Sequence, residues 1–174
     1  SMDRTFYYEL LPSNQLELGL WLESERMLHA KIEQIGIDTQ NEVVKEEKRQ
    51  RYDNQPYGQL LPKTMEAAYK EHPYQWTPIG SMEHLDAATH ADFMDFYETF
   101  YVPENATLSI AGDLNVEEAK ELVEAYFADI PRGGRDIPRP DIVEPLRTAE
   151  VRDTVWGKDR LPMVLQAYPI PAQG

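Results

Sequence analysis

Apolar positions recur along this chain with two periods, roughly two and roughly 3.6 residues, and the switches between them set the expected elements. Residues 5–11 (TFYYELL) are aromatic-rich and stop at Pro12-Ser13-Asn14, which predicts a strand running into a helix start. Asn14 and Glu17 have the spacing of a capping box. The helix that follows, over 15–30, turns Leu16, Leu20, Trp21, Met27 and Leu28 toward a core. A second helix is predicted over 40–51 (QNEVVKEEKRQR), ended by the breakers of Asp53-Asn54-Gln55-Pro56-Tyr57-Gly58. A short amphipathic segment covers 60–69, and 72–80 (HPYQWTPIG) reads as an aromatic loop.

The clearest helix is capped by Thr89 with Asp92, and its Phe93, Phe96, Tyr97, Phe100 and Tyr101 share one stripe that reads as core. Pro103 ends it, and 106–111 (ATLSIA) alternates as a half-buried strand does. Asn115 with Glu118 opens another helix, with Ala119, Leu122, Val123, Tyr126 and Phe127 inward and Pro131 as its stop. Residues 132–145 are rich in Gly, Pro and Arg without periodicity, which reads as a linker. Two strand-like stretches follow, 150–156 and 163–168. Helices and strands without a regular strand-helix-strand rhythm, and without an internal repeat, place the chain in the α+β class.

One position breaks the pattern. On the 40–51 helix Glu47 falls four residues past Val43 and three past Val44, so it shares their stripe, whereas Glu46 points about 100° away among the exposed Lys45, Lys48 and Arg49. A buried carboxylate needs a cation or donors to offset several kcal/mol of desolvation, roughly. Such a site wants a partner, and on helix geometry alone Glu47 borders the core and pairs with an arginine.

Composition narrows the partners. Thirty-one acidic against 17 basic residues give a net charge of -14, which repels a nucleic-acid backbone and suits a solvated surface. No cysteine is present, which excludes disulfides, thiolate metal sites and cysteine nucleophiles. No apolar run approaches the roughly 20 residues of a membrane span. Ser1-Met2 reads as a cloning remnant, so the chain is expected to be a piece of a longer protein, and its compartment, bacterial periplasm or cytoplasm, stays open. The four histidines sit in HAKIE, HPYQW, HLDAA and HADFM, without His-x-x-Glu-His or its reverse. Taken alone, the sequence holds no complete active site.

The ordered segments DRTFYYELLPSNQLELGLWLESERM, NEVVKEEKRQRYDNQPYG, HPYQWTPIGSMEHLDAAT, FYETFYVPENATLSIAGD and YFADIPRGG together resemble the insulinase-like, pitrilysin-type zinc metallopeptidases. In that family an upstream helix bears an inverted His-x-x-Glu-His motif and a later helix supplies a third zinc ligand, a glutamate. The resemblance puts that ligand on Glu47, counted from Val43 and Val44, and a supporting role on Gln40, where relatives often have a glutamate. The neutral amide of Gln40 suits hydrogen bonding rather than a second carboxylate role. His72, Pro73, Tyr74 and Trp76 match a family loop that a packed aromatic turn also explains.

The resemblance implies an antiparallel sheet covered on one side by helices. Residues 1–134 would be the later part of a first peptidase domain without the inverted motif, and 135–174 a linker with the opening strands of the next. It implies a fragment of a zinc-dependent endopeptidase that cleaves peptides or unfolded proteins with metal-activated water. In isolation the fragment would be inactive and would not hold zinc stably. The alternative is a fragment of a non-catalytic homologue that serves as scaffold or substrate-binding subunit. Unpaired strands around Val151 and Val164 would favour a homo-oligomer built by strand exchange, or pairing with a homologous subunit.

Overall fold

A computed structural model describes residues 1–157 and 159–170. Among the described residues six α-helices form: α1 (Leu16–Leu28), α2 (Gln34–Lys48), α3 (Leu60–Ala68), α4 (Met82–Ala87), α5 (His90–Phe100) and α6 (Val116–Phe127). Short 3-10 turns lie at Ser13–Gln15, Pro73–Gln75 and Pro103–Asn105, and a π-helical turn at Arg49–Asp53 continues α2. The chain divides into two compact units. One comprises residues 5–37 and 88–139; the other comprises 1–4, 38–87 and the described residues from 140 onward.

Among the described residues the buried ones all belong to the first of these, and they are Leu20, Ser24, Ile37, Ala119 and Ile130. Here α1 packs on α6, with Leu20 only 3% exposed and the small Ala119 letting the helices approach. Tyr97 of α5 donates its hydroxyl proton to the carbonyls of Arg26 and Met27 at 2.8 and 2.9 Å, groups left unpaired at the end of α1. Beside it the Tyr7 and Tyr101 hydroxyls meet at 2.6 Å, and the Arg26 guanidinium lies 4.2 Å from the centre of the Tyr7 ring. Burial, then the Tyr7 hydroxyl, pushes the Tyr101 phenol up to about 12. At the start of α5 Thr89 and Asp92 form the expected capping box. Asn115 caps α6 by accepting from the amides of Glu117 and Glu118 at 2.9 and 3.3 Å.

The other unit holds α2 from residue 38, the π-turn, α3 and α4. No residue described there is buried.

The α+β expectation is overturned: among the described residues there is no strand and no sheet, and the regular structure is helical throughout. The stretches 5–11, 106–111, 150–156 and 163–168 carry no ladder. Strand propensity records only how a side chain fits a pleated surface, and a strand exists when a neighbour takes its N–H and C=O groups. Within 5–11 Phe6, Tyr8 and Leu10 face solvent, and the Tyr7 hydroxyl meets that of Tyr101. Without strands, the ladder edges that would drive strand exchange around Val151 and Val164 are absent from the described residues. The Asn14–Glu17 capping box does not form, because a 3-10 turn precedes α1 and Gln15 occupies the cap position without a side-chain bond. Phe96 is exposed, so the α5 stripe is only partly core.

Candidate metal centre

Glu47 occupies the last turn of α2, one residue before the helix passes into the π-turn. Its side chain is 37% exposed, and Oε1 lies 2.9 Å from Nη1 of Arg51. Val43, on the same stripe, is 53% exposed, so the stripe is not a buried one. Glu46 turns elsewhere, accepting from Gln50 Nε2 at 3.0 Å and Arg49 Nη1 at 3.3 Å. Those two bonds, Gln50 first, hold its carboxyl below the usual carboxylate range. The two neighbours therefore diverge as the helical register requires.

Two contacts to α4 fix this part of α2. Asn41 Nδ2 donates to the Leu85 carbonyl at 3.2 Å, and one turn later Lys45 Nζ lies 2.5 Å from Asp86 and 2.8 Å from Glu42. Sequence reasoning put Lys45 among exposed residues, yet its side chain is only 14% exposed. Asp86 first and Glu42 second raise its ammonium pKa. Past Lys48 the helix widens, and the Asn54 N–H closes the π-turn on the Arg49 carbonyl at 2.8 Å. Lys48 and Gln59 both reach the Asp53 carboxylate, at 3.1 and 3.0 Å. A Cβ on Gly58 would stand 2.2 Å from the Tyr52 carbonyl oxygen, so only glycine fits there. Single π-turns recur at functional sites, and neither this one nor α4 was visible in the sequence pattern.

Gln40 lies on α2 seven residues before Glu47, hence on nearly the same face, and is exposed. Three of the four histidines have local partners of their own. His29 meets Glu25 at 2.9 Å, and His90 Nε2 lies 2.7 Å from the Ile32 carbonyl. His72 Nδ1 accepts from the Tyr74 N–H at 3.2 Å and packs with Tyr69 and Tyr74, as a structural aromatic turn does. A catalytic zinc site takes about three protein ligands. Among the described residues no three His, Cys, Asp or Glu side chains stand close enough to hold an ion. Glu47 is paired with Arg51 and is still 37% exposed.

Comparison with known proteins adds to this picture. The family described as the peptidase M16 inactive domain matches residues 87–174, a stretch that leaves Glu47 outside it. The zinc protease PqqE of Helicobacter pylori is 33% identical over 99% of this chain, which corresponds to 39% of that protein. A protease from Helicobacter pylori, known by crystal structure, superposes with a TM-score of 0.73 at 34% identity, covering 76% of this chain and 32% of its own. The ferredoxin protease FusC, solved in complex with Arabidopsis ferredoxin, gives 0.66 at 26% identity over 76% of this chain and 14% of its own. The chain thus spans about two fifths of the length of its Helicobacter relative.

Proposed function

Since this chain belongs to the M16 peptidase family, the insulinase-like group that its segment order resembles, we propose that it is part of a zinc-dependent endopeptidase acting on peptides or unfolded protein segments. The observation that carries the reading is the placement of Glu47: a partly exposed carboxylate at the end of α2, at the position where the resemblance puts a metal ligand. Glu47 supplies one oxygen donor, and Gln40, on the same helix face, supports it by hydrogen bonding. When bound, zinc supplies a Lewis acid that activates water and polarises a scissile carbonyl. The chain's own part is orientation: Asn41 and Lys45 fasten α2 to α4, and the π-turn holds Arg51 against Glu47. On this reading residues 1–134 form the later part of a peptidase domain, and 135–174 lead toward a following one.

A second reading is favoured by two observations, the family description as an inactive domain and the pairing of Glu47 with Arg51 in the manner of an ordinary i, i+4 surface pair. There the chain belongs to a non-catalytic partner subunit. One pair of assays separates them. The 174-residue chain by itself is expected to bind zinc only weakly and to leave a quenched peptide uncut, because one carboxylate cannot replace three ligands. A protein extended to the length of the relatives should cleave that peptide, lose the activity to a chelator and regain it with zinc. No cleavage by the extended protein, with zinc present, contradicts the enzymatic reading.

A further inference from the structure

Just past the C-terminal end of α3 three consecutive backbone N–H groups converge on one carboxylate. Glu144 Oε1 accepts from Lys70 at 2.7 Å, and Oε2 accepts from Glu71 at 3.0 Å and His72 at 2.9 Å. Successive amides pointing to one side make a concavity that favours an anion, and each of these bonds is charge-assisted. Three residues on, Arg147 Nη2 donates to the Ala67 carbonyl, which lies in the last turn of α3. A cation on the carbonyl end of a helix and an anion on the amides that follow each complement the local dipole. The segment is held through two opposite charges placed three residues apart.

We propose that the N–H groups of residues 70–72 are a carboxylate-binding site whose ligand is Glu144 of the same chain, so that residues 140–147 form a latched strap. The linker character predicted for 132–145 therefore holds for its composition and not for this part of its course. The strap is acid-sensitive. The charged and titratable groups around Glu144 are Lys70, Glu71 and His72 on the loop, Glu66 on α3, whose carbonyl accepts from Lys70 Nζ at 3.1 Å, and Arg147 on the strap itself. The His72 amide does most to hold the Glu144 carboxyl below the usual range; burial opposes it, and the amides of Glu71 and Lys70 and the Arg147 charge add to it. A carboxyl whose pKa is lower in the folded chain stabilises it above the unfolded-state pKa, and that contribution is lost as pH falls through the folded value. The latch is closed at neutral pH and opens in acid.

The test is an amide NMR titration of the 15N-labelled chain from pH 7 to pH 3, with hydrogen exchange measured at pH 7. The signals of residues 70–72 should shift together with a midpoint below that of an ordinary glutamate. In Glu144→Gln the component of the titration common to all three amides should vanish, and exchange at 70–72 should quicken about 10-fold or more as the bonds open. Asp141→Asn, a control on the same strap, should leave both unchanged. If 70–72 do not titrate in the wild type, or if they exchange equally in wild type and Glu144→Gln, the proposal is overturned. Should Glu144→Gln fail to fold, the wild-type titration still decides.

Discussion

Glu46 and Glu47 show what a single step along a helix does: one carboxylate meets Gln50 and Arg49, the other Arg51. That divergence was legible in the sequence, because 3.6 residues per turn fixes direction without knowledge of neighbours. Burial was not legible, since it depends on what packs against the stripe, and Val43 turns out exposed. Lys45 was misplaced for the same reason, its partner Asp86 belonging to α4, a helix too short for periodicity to reveal. Close to this site Gly58 is the most constrained residue. Gly58→Val puts new atoms into the Tyr52 carbonyl, and overpacking of this kind costs about 1–3 kcal/mol. Chemical denaturation should show that loss, whereas Gly36→Ala on α2, where an added Cβ meets nothing within 4 Å, should stabilise slightly.

Among the elements, capped helices were the easiest to foresee. The signals for α5 and α6 are local, a capping residue and a proline stop, and both helices form where those signals put them. Strand signals are not local: 106–111 and 163–168 have the composition of strands, but among the described residues no neighbour pairs with them. The α5 cap gives a direct check. Thr89 Oγ1 and the Asp92 carboxylate lie 2.6 Å apart, and the Thr89 N–H donates to the same carboxylate at 2.7 Å. Thr89→Ala should cost about 0.5–2 kcal/mol, read from thermal unfolding. Hydrogen bonds from the Thr89 hydroxyl and then its N–H lower the Asp92 pKa, so the cap contributes above the unfolded-state value and fades as pH falls through the folded one. The gap between wild type and Thr89→Ala should accordingly shrink in acid.

At the scale of the whole molecule, burial and chemistry are separated. The unit with Leu20 and Ala119 carries the core, while Glu47, the π-turn and the latched strap belong to the unit in which no described residue is buried. Family membership was readable from the order of segments, which several separate stretches supply together, even though the class of secondary structure derived from the same residues was not. The candidate site was readable only as one residue with a helix under it, because among the described residues no three metal-binding side chains stand together. The decisive measurement is the zinc content of a protein extended to the length of the relatives, taken for wild type, Glu47→Gln and Glu46→Gln with unfolding midpoints recorded in parallel. If Glu47 is a ligand, wild type and Glu46→Gln hold about one zinc per chain, and Glu47→Gln loses most of it at an unchanged midpoint. Full zinc occupancy in Glu47→Gln would contradict the assignment.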